Sequence, residues 1–564
     1  MFGKDITKRI SATFVKAVHA FFKKNFPDRS FPEEIDANFQ LTRDKQHGDL
    51  TSNIAMRLAS VLSRSPQDVG NGVMAAFREA LEKSDLSKYV GDVKLKGNFI
   101  NLWLSDEYSR KEMVDIMKLG KSFGSSNEGR GKKVNLEYVS ANPTGPLTIA
   151  HGRQAAVGDA LARILRFSGY DVTSEYYLND YGRQINLLGR SVEIRYRNLF
   201  GEDEELPEDG YVGDYIIDIA EEIKKEKGDK LLERSPETER FFRERAVDYM
   251  MEMIRDDLGA FGVSFDVWTS QAKLEERKEV EKVLAELEKD GFVYENEGAK
   301  WFASTRFGDE KDRVVVKSDN SFTYLAPDIA YHRDKYQRGY ERIVDLLGPD
   351  HHGYIGRMKA AVQAMGHEEK SLNILIVQLV KLLRGGETVS MSTRKGEFIS
   401  LREVIDEVGK DVARFFFLVR RLDSHLEFDI ELAKKESVDN PVFYIQYAHA
   451  RICSIHKYSR KKALSLFFRK TDLELLKTKQ EKELMRKLFE FPFVVKASGE
   501  ALEPNRLLVY LNELAREFHS FYTECRVVSE DPALSKARLF LVECARIVLA
   551  NGLGLLNITF PEKM

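Results

Sequence analysis

Glu137-Tyr138-Val139-Ser140-Ala141-Asn142-Pro143-Thr144-Gly145-Pro146-Leu147-Thr148-Ile149-Ala150-His151-Gly152 is the stretch that decides how this chain folds. The run from Val134 reads as a buried strand, the Pro/Gly segment breaks it, and Val157, Leu161 and Ile164 then recur at helical spacing. A strand, a turn and a helix in that order leave unpaired N–H groups and the positive helix end near His151, a place that suits phosphate. Neither GxxxxGK[ST] nor GxGxxG occurs, which excludes a P-loop or a dinucleotide fingerprint. Alone, the stretch reads more simply as a structural turn with a capping histidine.

Working outward, strands alternate with helices from Val134 on, the pattern of an α/β fold with a parallel sheet wrapped by helices. Four strand-to-loop junctions are expected: residues 134–140, 172–178 before Asn179, 343–347 before Gly348-Pro349-Asp350, and 372–380 before Gly385-Gly386. Ligands bind beyond the carboxyl ends of such strands, so these junctions should converge on one site. After Arg384-Gly385-Gly386 comes Ser390-Met391-Ser392-Thr393-Arg394-Lys395-Gly396, a basic, hydroxyl-rich loop closed by a capping box of Ser400 and Glu403. Such a loop suits a triphosphate and the charge on departing pyrophosphate. Taken singly, an exposed basic loop is the plainer reading.

At 564 residues the chain needs more than one core. We expect an α+β N-terminal domain over 1–115, a glycine- and lysine-rich linker over 121–133, and a Rossmann-like catalytic domain over 131–400 carrying a charged helical insertion at about 189–313. Connecting helices over 401–435 and an all-α bundle over 436–564 complete it, with Leu507, Leu511, Leu514, Phe518, Phe521 and Tyr522 as a core-facing stripe. No apolar run approaches the ~18 residues of a membrane span and the N-terminus lacks a signal-peptide pattern, which predicts a cytoplasmic protein with no membrane partner. Cys453, Cys525 and Cys544 lack CxxC spacing and read as buried, reduced thiols, and the adjacent His351 and His352 lack metal-ligand spacing, so no metal site is expected. Residues 441–564 hold 20 Lys and Arg against 14 Asp and Glu, although the whole chain is net negative. That local excess suits phosphate contact as well as a solvated helix face.

Together the two motifs resemble the HIGH and KMSKS signatures of class I aminoacyl-tRNA synthetases: Asn142 to Gly152 for the first, Ser390 to Arg394 for the second. The resemblance to arginyl-tRNA synthetases covers most of the chain. It extends through His47-Gly48-Asp49 to Asn53, residues 97–102, Asn179-Asp180 with Gly182 and Gln184, Tyr324 with Asp328, Gly348 to Gly353, Phe443 to Arg451 and the closing Pro561 to Met564.

The resemblance implies arginine activation by ATP, with Mg2+, and transfer of the arginyl group to the 3' end of arginine tRNA by a monomer. It implies that Glu137, Asp328 and Tyr324 hold the guanidinium, whose planar fork wants matched acceptors. Ser140, Asn142 and Asp350 would hold the α-amino and carboxyl groups. Thr148, His151, His352, Gly353, Met391 and Ser392 would hold ATP. Asn53 would meet the tRNA corner, and Tyr444, Gln446, Tyr447, His449, Arg451 and Met564 the anticodon, whose splayed bases need aromatic and polar platforms. The chain departs from the family pattern at Thr148 and Ala150 within HIGH, and at Ser390 and Thr393, where KMSKS has lysines. Arg394, Lys395, Arg384 and Arg153 are the candidate replacement cations, with Lys395 and Arg394 favoured. The alternatives are a catalytically weak RNA-binding paralogue and a class I synthetase for another amino acid; Tyr324, Asp328 and Glu137 speak against both.

Overall fold

The computed structural model describes residues 6–32, 35, 39–42, 44–389, 399–435, 440–462 and 471–564. Met391, Ser392, Arg394 and Lys395 therefore lie outside the described residues.

The strand and helix alternation produces one parallel sheet. Its strands are β1 (Lys133–Glu137), β2 (Asp171–Leu178), β3 (Val267–Ser270), β4 (Arg342–Leu347) and β5 (Leu372–Ile376), in the order β5-β4-β1-β2-β3. Every neighbouring pair is parallel. All five carboxyl ends thus lie on one edge, and the order reverses between β1 and β4, which opens a crevice there. Helix α1 (Ile149–Phe167) returns from β1 with Ala155, Ala156, Ala160, Leu161, Ile164 and Leu165 buried. Two glycines set how closely it packs. A Cβ on Gly158 would fall 2.2 Å from the Tyr138 ring, and one on Gly152 would fall 2.6 Å from Leu401.

Two expectations change. The segment 189–313 is not wholly a helical decoration, because Val267–Ser270 inside it is the edge strand β3, paired with β2 from Glu175↔Val267 to Leu178↔Ser270. The stretch 372–380 is not one strand. β5 stops at Ile376, and Val380–Arg384 joins Glu387–Thr388 and Leu426–Asp429 in a separate three-stranded sheet.

Further helices include α2 (Leu325–Gln337), α3 (Leu401–Val408), α4 (Lys410–Leu418) and, in the C-terminal bundle, α5 (Pro441–Lys461). Helix α3 begins as predicted. Ser400 Oγ accepts from Glu403 N at 3.1 Å, and Glu403 Oε2 accepts from Ser400 N at 2.7 Å. In the C-terminal bundle Leu507, Leu511, Leu514, Phe518 and Phe521 are buried, and Tyr522 packs against the same core. The segment 121–133 is laced to the end of α1 by Ser126 N, Gly129 N and Gly131 N, which donate to the carbonyls of Phe167, Ser168 and Gly169 at 2.9–3.1 Å. At the N-terminus, Ile6–Asn25, Ile54–Leu62 and Pro66–Glu82 pack with a four-stranded antiparallel sheet. This unit reaches the C-terminal bundle through Arg486 Nε to Asp49 at 2.9 Å and Lys482 to Asp106 at 2.7 Å. Among the described residues no helix is long and apolar enough to cross a membrane. Cys525 and Cys544 are buried free thiols, while Cys453 is only half-buried.

Candidate active site

β1 ends in a tight, strained corner. Val139 and Ser140 have φ of +70° and +39°, a conformation L-residues avoid and that costs a β-branched valine about 1–3 kcal/mol. Several bonds hold it. Ser140 Oγ donates to Glu137 Oε1 at 2.9 Å and accepts from Tyr177 N at 3.0 Å, and Tyr176 Oη donates to the Ala141 carbonyl at 2.8 Å. The corner lifts Asn142 into the open, where its amide donates to Gln184 at 2.7 Å.

His151 sits at the start of α1. Its Nδ1 accepts from the backbone N–H of Thr148 at 3.1 Å, so the ring proton belongs on Nε2 and faces away from the helix end. Burial holds its pKa down at about 4, leaving a neutral N–H donor rather than a cation. Thr148 pairs with Ser400 in an antiparallel bridge, and Leu401 N donates to Leu147 O at 2.7 Å. Ser400 and Leu401 are therefore fastened beside the N-terminus of α1.

The two carboxylates predicted for the guanidinium share the crevice. Glu137 is buried, and Asp328, in the first turn of α2, accepts a hydrogen bond from Tyr354 Oη. Burial raises the Asp328 carboxyl to about 6, the Tyr354 bond offsets part of that, and the charge of Glu137 adds to the rise. Tyr324 stands at the start of α2 with its side chain 93% exposed, open to a ligand. Asp350, His352 and Gly353 are exposed in the short helix Pro349–Tyr354 just past β4. Among the described residues no group of three or more His, Cys, Asp or Glu could hold a metal.

Sequence reasoning missed Lys335. It is buried completely, with Nζ 2.5 Å from Glu137 Oε2 and 2.8 Å from Asp345 Oδ1. A signal existed: Asp345 interrupts the apolar strand Ile343-Val344-Asp345-Leu346, and a buried charge needs a partner. Tyr354 was missed as well.

Four other expectations are corrected. Arg153 is fully buried and donates to the carbonyls of Gln378, Ser424 and Arg421 at 2.7–2.9 Å, so it cannot reach pyrophosphate. Arg384 is engaged at the surface by Glu407 at 2.8 and 3.0 Å and by Glu431 at 3.2 Å. Gln446 and His449 face inward and clasp the C-terminal tail. The Gln446 amide donates to Asp411 and to the Thr559 carbonyl at 2.9 Å, and His449 Nδ1 lies 3.0 Å from the Pro561 carbonyl. Of the other residues named for the anticodon, Tyr444, Tyr447 and Arg451 are half-buried and Met564 is exposed. Arg451 lies against the rings of Tyr447 and Tyr522 at 4.9 and 5.0 Å, and the His519 ring lies 4.6 Å from Tyr444 and stacks on Tyr447 at 5.9 Å. Asn53 is exposed at the start of Ile54–Leu62 without capping it.

The 3-2-1-4-5 parallel sheet with a histidine at the start of its first helix is the core of a class I aminoacyl-tRNA synthetase catalytic domain, as comparison with known proteins shows. The family model for the class I (R) tRNA synthetase catalytic domain matches residues 114–420. The arginyl-tRNA synthetase N-terminal domain model matches 4–104, and the DALR anticodon-binding domain model matches 445–564. Arginine–tRNA ligase of Desulforamulus reducens is 46% identical, covering 100% of both chains. That of Syntrophotalea carbinolica is 45% identical over 94% of this chain and 95% of its own. The solved Thermus thermophilus arginyl-tRNA synthetase shares the fold at TM-score 0.75 and 21% identity, covering 98% of this chain and 100% of that one. The chain belongs to the arginyl-tRNA synthetase family.

Proposed function

We propose that this chain is an arginine–tRNA ligase: it activates L-arginine with ATP to arginyl-adenylate and transfers the arginyl group to the 3' end of arginine tRNA. Family membership across the whole length supports the reaction, and nothing favours an RNA-binding paralogue or another amino acid. In the first step an arginine carboxylate oxygen attacks the α-phosphorus and the bond to pyrophosphate breaks; in the second a terminal ribose hydroxyl of tRNA takes the arginyl group and AMP leaves. No side chain serves as nucleophile, so positioning and charge stabilisation supply the rate.

One observation supports the substrate reading: Glu137 and Asp328 lie close enough for the charge of Glu137 to raise the Asp328 carboxyl. Ser140, Asn142 and Asp350 would receive the amino acid's α-groups, Tyr324 would close over the guanidinium, and His151, Thr148, His352 and Gly353 would receive ATP. The Asn53 unit would meet the tRNA corner, and the helical unit after residue 436 would read the anticodon. Magnesium would arrive with ATP, whose phosphates and water favour it over a protein cage. We place the enzyme in the cytoplasm as a monomer.

The test follows from Asp328. Its carboxylate is costly to ionise unpaired, and arginine's guanidinium relieves that cost. Above about pH 6 the carboxylate is charged and binds arginine; below it the group is protonated, so the arginine KM should rise as pH falls through about 6. Asp328→Asn should abolish that pH dependence, and Asp328→Asn and Glu137→Gln should each raise the arginine KM by a factor worth about 1.5–3 kcal/mol while sparing ATP. Steady-state aminoacylation with arginine varied at several pH values measures this, and an unaltered arginine KM in both variants would refute the pocket.

A further inference from the structure

We propose that Lys335 is a positioning and specificity residue of the arginine pocket, holding Glu137 and Asp328 together in the arrangement that a guanidinium fits and an ammonium does not. This rests on the arginine-binding reading of those two carboxylates.

The argument begins with β4 against β1. Asp345 and Glu137 are direct register partners on adjacent parallel strands, both buried. Two carboxylates so placed cannot both stay ionised without a cation, since like charges in a poorly solvated site push one of them to take a proton. Lys335 supplies the cation from α2. One N–H meets Glu137 Oε2 at 2.5 Å, a second meets Asp345 Oδ1 at 2.8 Å, and the ammonium lies 4.4 Å from the centre of the Tyr331 ring. The other charge that acts on it is Glu175 on β2, itself bound by Arg338, and the His332 ring on its own helix meets the same Asp345. Burial opposes the ammonium, but Asp345, Glu137 and Glu175 outweigh it and hold its pKa above the ordinary lysine value.

The network then reaches the main chain of the residue that bears the second carboxylate. Asp345 Oδ2 meets His332 Nε2 at 2.9 Å, and His332 Nδ1 meets the backbone carbonyl of Asp328 at 2.8 Å. Glu137 has one oxygen fixed by Ser140 and the other by Lys335, so its carboxylate cannot swing. A buried ion pair gains little stability over apolar packing, so stability alone does not call for a lysine here. Pocket chemistry does. With its charge already matched, Glu137 offers an incoming lysine little net attraction, whereas its remaining lone pairs still suit the directed N–H fork of arginine.

The test compares Lys335→Met, Lys335→Arg, Asp345→Asn and Glu137→Gln in the full-length protein, by arginine KM, ATP KM, kcat, inhibition by free lysine, and pH profile. Lys335→Met should raise the arginine KM about 10-fold or more with ATP KM nearly constant, the mark of lost substrate binding rather than general damage. It should also add a pH dependence to the arginine KM, as Glu137 and Asp345 come to share a proton, and strengthen inhibition by lysine. Lys335→Arg, whose guanidinium can span both carboxylates, should restore most of the loss. Asp345→Asn, nearly isosteric, should raise the arginine KM in the same direction and decides the matter if Lys335→Met does not fold. Wild-type arginine KM and pH profile in folded Lys335→Met, or in Asp345→Asn when it alone folds, would overturn the proposal. If Glu137→Gln also left the arginine KM unchanged, the pocket reading itself would fall; if Glu137→Gln raised it, only the role of Lys335 would.

Discussion

Lys395→Ala is expected to slow arginyl-adenylate formation by ~100-fold or more while leaving ATP affinity little altered. Charge builds on the pyrophosphate oxygens only as the α-phosphorus bond breaks, so a cation meeting them there lowers the barrier without tightening ground-state binding. The choice of cation has narrowed. Arg153 is committed to three backbone carbonyls and Arg384 to two glutamates, which leaves Arg394 and Lys395 of the original four. Ser400, five residues after Lys395 in sequence, is bridged to Thr148 at the start of α1, the helix proposed to receive ATP. Arg394→Ala should act similarly, and the double variant should be less than additive if the two share one phosphate. Single-turnover adenylation, run with tRNA present, measures it. A wild-type rate in Lys395→Ala would remove Lys395 from the reaction.

On the proposed reading of His151 as a donor to the ATP phosphates, His151→Ala should cost a comparable factor, ~100-fold in the same step. The donor is a neutral imidazole, so the loss should be the same across the neutral range and no rate titration should belong to His151. Stability should respond differently. The folded ring titrates at about 4, below the roughly 6.5 of an unfolded histidine, so between these values the unfolded chain holds more protons. Stability therefore falls as pH is lowered through that window, and His151→Ala should lose that part of the acid sensitivity. Melting curves and single-turnover rates across pH separate the two effects. Full activity in the alanine variant would return His151 to a purely capping role.

The sequence was most informative where the governing interactions are local. The Ser400–Glu403 capping box, the buried stripe from Leu507 to Phe521 and the strand-turn-helix at His151 depend on residues a few positions apart, and each is found where its spacing predicts. Glu137 and Asp328 could be paired only through a family resemblance, because they are far apart in sequence and meet through folding. Asp345 signalled that a buried charge needed a partner, but that the partner is Lys335 could not be read from sequence, because its contacts lie on β1 and β4. β3 was hidden because four strand residues between charged helices carry too little pattern to stand out. Arg153, Gln446 and His449 were misjudged in one direction, since polar residues that bind backbone carbonyls inside the protein look, in a sequence, like surface ones.

The most direct test of the account is aminoacylation of total tRNA by the purified chain with ATP and each of the twenty amino acids in turn, following the label onto acid-precipitable RNA. Arginine alone should be attached, only when ATP is present, and only to tRNA that arginine-specific probes capture. Attachment of a different amino acid, or no attachment of arginine by folded protein, would contradict it.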